Sequence, residues 1–247
     1  MNKFGYPITD TTDIRTNNFT TLIGAELHQG KLSNGETWHV LAVGLPVDFA
    51  QPDAGETCQQ ITDRAAAAGA FIGIVHPSWY SLTVEDARQV RAAHAIEIYN
   101  HGAEIVIGRG RDTAFLDLML GDGRRLNGFA TDDAHHVSHD AFGGWIHVLA
   151  EALEPEAILK SLKAGRYYSS QGPEIRNIQF DGDEVIINCS PVDFIVLHGR
   201  GHRTVQVRGS GLIDARFPIK NFEDDFFRVT IRDKFGQHAW SNPIWLD

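Results

Sequence analysis

Cysteine is scarce: Cys58 and Cys189 are the only two in 247 residues, far apart. That excludes a disulfide framework and a CxxC metal knuckle, and free cysteines of this kind are ordinarily buried. Long apolar runs are missing too. The longest stretches, such as Ala65 to Val75, are interrupted by Gly69 and Gly73, well short of the ~20 apolar residues of a membrane helix. Met1 to Asp10 has neither the basic start nor the apolar middle of a signal peptide, so the expected location is the cytoplasm. Basic residues are outnumbered, 22 Lys and Arg against 32 Asp and Glu, for a formal charge of −10. No basic run is long enough to track a phosphate backbone, which argues against nucleic acid as a partner.

What is abundant is histidine. Twelve are present, nine of them before residue 150, in a chain whose 43% hydrophobic content suffices for one or two packed cores. Up to about residue 170, short apolar or β-branched runs alternate with helical stretches, the pattern of βα units. The expected strands are 21–26, 38–44, 71–75, 95–99, 126–131 and 145–150. Asn34-Gly35 predicts a hairpin between the first two. Asp53 and Glu56 resemble a capping box opening a helix over 54–68, which Gly69 would close. Further helices are expected from Thr83 to about Ala93, over 113–120, and over 156–164 behind Pro155. After Pro173 the pattern changes to strands at intervals of about 8 to 12 residues, separated by turn signals such as Asp181-Gly182-Asp183 and Gly209 to Gly211. The expectation is an α/β fold, residues 1–172, followed by a small all-β sandwich, residues 173–247.

The polar residues of interest stand where expected strands end, the place such folds assemble sites. Glu26 closes Leu-Ile-Gly-Ala-Glu, His76 closes Phe-Ile-Gly-Ile-Val-His, Glu97 lies in Ile-Glu-Ile-Tyr-Asn, and Asp133-Ala134-His135 follows Gly-Phe-Ala-Thr-Asp. His39 opens its strand, but an antiparallel hairpin returns it to the level of Glu26. Imidazole and carboxylate are the ligands that zinc, manganese or iron take, and a carboxylate can bridge two ions. A metal-activated water is then the natural nucleophile.

The ordered motifs Gly-Ala-Glu (24–26), Trp-His-Val-Leu-Ala-Val-Gly (38–44), Val-His-Pro (75–77), Ile-Glu-Ile-Tyr-Asn (96–100) and Ala-Thr-Asp-Asp-Ala-His (130–135) resemble the polymerase-and-histidinol-phosphatase (PHP) metallohydrolase superfamily. The segments 165–173 and 236–245 resemble its CehA/McbA-like branch, with a β-domain after the catalytic barrel. The resemblance implies a distorted (β/α) PHP-type barrel, a TIM-like arrangement, binding two or three divalent ions and hydrolysing esters, usually of phosphate. One departure stands out: the family's His-x-His and Thr-Asp-His are absent, and Met1 to Gly5 resembles the stretch just after the second. The expected barrel is therefore N-terminally incomplete, and its uncovered edges point to a homo-oligomer.

Carried over residue by residue, the middle ion would take Glu26, His39 and His76. The first would keep Glu26 and Asp133, and the third only His135. Glu26, His76 and Asp133 would then be catalytic, with Glu97, Asn100 and Arg109 facing a small-molecule ester. The alternative reading is a weakly active or non-catalytic remnant binding carbohydrate or a protein, with Trp240 and Trp245 as candidate contacts.

Overall fold

A computed structural model describes residues 8–136 and 138–246; Met1 to Gly5, with its motif resemblance, lies outside the described residues. Strand outweighs helix, 39% to 20%, and the five helices found are short. The strands form two sheets, one of them a half-barrel, so the expected TIM-like (β/α) barrel is corrected. The smaller sheet runs β1 (Gly24–Lys31), β2 (Thr37–Val43), β3 (Phe71–Ile74), β4 (Ala95–Asn100) and β5 (Asn127–Thr131), in that spatial order. A (β/α) barrel needs a helix to return the chain after every parallel strand. Here β1–β2 and β2–β3 are antiparallel, leaving β3–β4 and β4–β5 as the parallel pairs. The strand expected to continue the barrel, β6 (Trp145–Val148), instead pairs with β7 (Tyr167–Ser170), which joins the larger sheet.

The helices α1 (Cys58–Ala67), α2 (Val84–Gln89), α3 (His101–Ile107), α4 (Thr113–Gly121) and α5 (Pro155–Lys163) divide between the faces of the smaller sheet. On one face Leu27, Val40, Ile72, Ile74, Ile96 and Ile98 form a core with Ile61 and Ala65 of α1 and Leu116 and Met119 of α4. On the other, Phe71, Ala95 and Phe129 pack with Leu162 of α5 and with Tyr167. That second core reaches Val75, just past β3, but is centred on the end at which β3, β4 and β5 begin. Their C-terminal end is left to polar side chains. Cys58 sits in the first core and Cys189 in the other half of the molecule; both thiols are free, and burial pushes them up to about 12 and about 11.

The short strands expected after Pro173 are also corrected. β8 (Ile175–Asp181) is followed by two long strands, β9 (Glu184–Gly199) and β10 (Thr204–Pro218), then β11 (Phe226–Arg232), β12 (His238–Ser241) and β13 (Ile244–Trp245). The first half of β9 pairs with β8 and the second with β11, while β10 follows it throughout with register shifts between Arg208 and Asp214. Pro191 cannot donate to the ladder, and Gly209 and Gly211 fall in the neighbouring register shift between the Arg208–Phe194 and Leu212–Val192 pairs, so strands read as separate are continuous but irregular there. The two halves enclose Val185, Ile187, Ile195, Leu197, Phe217, Phe227 and Val229 in one core. Among the described residues no helix is long and apolar enough to cross a membrane.

Alternation places Arg228, Thr230 and Arg232 on the face of β11 opposite this core, beside His198 and Phe194 of β9 and Trp240 and His238 of β12. Burial and then Arg228 push His198 down to about 4; burial, then Arg111 and Arg232, do the same to His238. The folded protein keeps both rings neutral while the unfolded chain protonates them near pH 6.5, so stability falls as pH drops from 6.5 towards 4. Allowing for partial solvent screening, each contributes on the order of 2 kcal/mol to that slope. Urea midpoints at pH 7 and pH 5 should differ accordingly. The difference should shrink in a His198→Asn/His238→Asn variant; an unchanged slope would refute the assignment.

Candidate metal centre

The strand β1 continues past Glu26, and this extension builds the site. Ala25 and Leu27 point into the core, so Glu26 and His28 project from the opposite face. On β2, Trp38, Val40 and Ala42 are buried while His39 faces the other way; register pairs His28 with His39 and Glu26 with Leu41. The two imidazoles stack, ring centroids 3.7 Å apart and 13° from parallel. Glu26 Oε2 lies 3.1 Å from His28 Nε2, and Oε1 lies 2.9 Å from His39 Nδ1 and 3.1 Å from His76 Nε2. One carboxylate is thus shared by three imidazoles. Ligand atoms of Glu26, His28 and His39 all fall within 4.8 Å of one another. Burial works to raise the Glu26 carboxyl, but hydrogen bonds from His28, His39 and His76 outweigh it and hold the group well below the carboxylate range.

His76 follows the end of β3 with φ +32°, a left-handed conformation that a β-carbon disfavours, immediately before Pro77. Its backbone N–H donates to Glu97 Oε2 at 2.6 Å, and its ring is packed edge-on against Trp79 and Tyr80 at 5.2 and 5.1 Å. Burial lowers the affinity of this imidazole for a proton. The Glu26 hydrogen bond and the charges of Glu97, Glu26 and Asp133 overcome it, so the net shift is upward. His76 Nδ1 is buried without a hydrogen-bond partner among the described residues.

Behind His76 lies a second polar layer. Glu97 is buried on β4 and accepts from the His76 N–H, from Asn100 Nδ2 at 3.1 Å and from the Thr131 hydroxyl. Burial pushes it up to about 7, against the pull of His76 and of these hydrogen bonds. Asn100 caps α3 through Oδ1, accepting from Ala103 N at 2.8 Å, and its amide also donates to Asp133 Oδ2 at 3.1 Å. Gly110 is required here: a β-carbon would come within 2.2 Å of the Asn100 carbonyl. Asp133, like His76, has positive φ, +50°. Two of the five described non-glycine residues with this strain therefore stand in one site, where such strain tends to collect.

The structure gathers Glu26, His39 and His76 into one cluster and ties Asp133 to it through Asn100 and Glu97. His135 is not brought in: it is exposed, its Nδ1 lies 2.8 Å from the Asp133 carbonyl, and Asp140 holds its backbone N–H at 2.9 Å. Asp133 and His135 instead line a cleft of about 230 Å³ with Trp79, Gly102, Ala103 and Ile107. Trp79 also stands 5.4 Å from the His39 ring, so one indole forms a wall of both cleft and cluster. Arg109 is exposed on a separate cavity of about 650 Å³ with Ser78, Glu104, Arg111 and Asp112, lined by none of the cluster residues. His28 was not expected. Its signal was the two-residue spacing from Glu26, hidden by ending the expected strand at Glu26 when β1 runs on to Lys31.

No known protein family, curated protein or solved structure matches the chain. The reading of the site rests on its chemistry. A carboxylate among three imidazoles, with a buried unpartnered ring nitrogen beside it, is a donor set that suits zinc, manganese or iron.

Proposed function

We propose that this chain is a divalent-metal-dependent hydrolase of small-molecule esters, with a phosphoester as the leading substrate class. The observation that carries the reading is the shared Glu26 carboxylate, flanked by His28, His39 and His76 at 2.9 to 3.1 Å. The ordered motifs that resemble the PHP superfamily support it. Glu26, His28, His39 and His76 would hold the ion, which when bound supplies Lewis acidity to a water and to the ester oxygen. The remaining roles belong to the protein. Glu97, balanced near neutrality by burial against three donors, fixes the His76 backbone and can take up or return a proton through that network. Asn100 orients Asp133 at the mouth of the cleft. Trp79 and Tyr80 shield the imidazoles from bulk water on one side. The cleft of about 230 Å³ suits a small ester.

The test is release of 4-nitrophenol from 4-nitrophenyl phosphate and 4-nitrophenyl acetate with zinc, manganese or iron supplied singly. Metal-dependent turnover should disappear with chelator and fall at least about a hundred-fold in His76→Asn. Metal uptake without turnover on either ester would replace catalysis with a binding role. Turnover indifferent to chelator would overturn the reading.

A further inference from the structure

We propose that the cavity between α4 and the polar face of the larger sheet is a second ligand site, built for a small organic anion. The favoured ligand carries a carboxylate or phosphoryl group on a flat apolar body. The cavity measures about 320 Å³, and its walls come from both sheets: Ile98 and Arg111 on one side, His198, Arg228, His238 and Trp240 on the other. None of Glu26, His28, His39 or His76 lines it, so the proposal does not depend on the hydrolase reading.

Charge is the first argument. In a chain of net charge −10, four guanidiniums gather here. Arg111 and Arg228 line the cavity, while Arg208 and Arg232 lie 4.2 and 5.5 Å from the centre of the Phe194 ring in its wall. The neighbouring carboxylates are already engaged. Glu104 binds Arg111 at 2.7 Å, Asp117 binds Arg228 at 2.6 Å, and Asp233 accepts two backbone N–H groups of its own turn at 2.9 Å. The guanidiniums of Arg208 and Arg232 make no ion pair or hydrogen bond among the described residues. Arg111 and Arg228 are compensated by these pairs, so Arg208 and Arg232 leave a surplus of positive potential beside a partly open cavity.

Unused hydrogen-bonding capacity is the second. Among the described residues the His198 ring makes no hydrogen bond, and His238 Nδ1 is buried without a partner, the Gly236 backbone acting only weakly on that ring. Burial first, and then these arginines, push both rings down. Shape is the third. Trp240 stacks on His238, centroids 5.5 Å apart and 6° from parallel, and on Tyr99 at 6.0 Å, giving a rigid aromatic wall opposite Ile98. Guanidiniums and imidazoles would hold the anionic head, and the ring wall its body.

The experiment is calorimetric titration of the full chain with benzylphosphonate, which cannot be hydrolysed as an ester, in EDTA so that no metal centre contributes. Saturable one-to-one binding is expected, weakened at least about ten-fold in Arg232→Gln and in His238→Phe and unaltered in Arg216→Gln on the sheet's outer edge. No saturation by about 10 mM, or equal affinity in the first two variants, would overturn the proposal. The imidazole resonances of the unmutated protein give a readout free of folding effects: those of His198 and His238 must move with benzylphosphonate. Movement confined to other histidines refutes the site. Loss of ester hydrolysis with this binding intact would count against the hydrolase reading alone.

Discussion

Glu26→Gln should abolish stoichiometric uptake of zinc or manganese, lowering affinity by at least about a hundred-fold. The wild-type chain is expected to take up about one ion. The carboxylate touches all three imidazoles, so the amide removes the charge they share while preserving the volume. His39→Asn and His28→Asn should each cost less, because two imidazoles and the carboxylate remain. Competition with a chromogenic chelator ranks the three variants. Equal affinity in Glu26→Gln and the wild type would mean that the ion, if any, binds elsewhere. In the metal-free protein the same carboxylate is a source of stability. Its folded-state pKa lies below the unfolded value of about 4.5, so its contribution is present above that pH and lost as pH falls further.

The parts of this site that could be read from the sequence are those fixed by local chemistry. The hairpin at Asn34-Gly35 is formed, and it brings His39 level with His28 and near Glu26, as an antiparallel return requires. His76 before Pro77 stands at a strand end, where a residue with unusual backbone geometry was least surprising. What could not be read depends on distant partners. The α1 cap is a case in point: Asp53 and Glu56 form a turn, while the reciprocal capping box belongs to Thr57 and Gln60, so the helix starts at Cys58. Helix α3 was missed because its N-cap, Asn100, also reads as the end of an apolar strand. The barrel expectation failed for a related reason. Alternating strands and helices specify βα units, but which sheet β6 and β7 join is decided by the pairing of β7 with β12, Ser170 opposite Ala239, far along the sequence; β6 follows by pairing with β7. Likewise nothing local marks His135 as excluded. Its displacement follows from Asp140 gathering the backbone N–H groups of His135 and His136.

Removing the carboxylate of Asp117 should destabilise the protein by about 3 kcal/mol, the largest effect expected of any single surface-accessible side chain here. Asp117 on α4 and Arg228 on β11 form a bidentate pair, with Nε to Oδ1 at 2.7 Å and Nη2 to Oδ2 at 2.6 Å, joining the smaller sheet's helical layer to the larger sheet. The partners differ in burial: the Arg228 side chain is 4% exposed and that of Asp117 36%. In Asp117→Ala the guanidinium stays buried with Thr230 Oγ1, at 3.0 Å, as its remaining side-chain partner. In Arg228→Ala, by contrast, the stranded carboxylate can be hydrated where it stands. The first substitution should therefore cost more than the second, although each deletes the same ion pair. Replacing both, as Asp117→Leu/Arg228→Met, should recover much of the loss, since apolar groups of similar volume need no desolvated charge balanced. For a chain of this length, about 3 kcal/mol corresponds to a fall in Tm of roughly 6 to 12 °C. Thermal denaturation of the three variants gives the order directly. A loss below about 1 kcal/mol in Asp117→Ala would mean that water in the adjoining cavity reaches Arg228 and hydrates it, making that face of the sheet wetter than its 4% exposure implies.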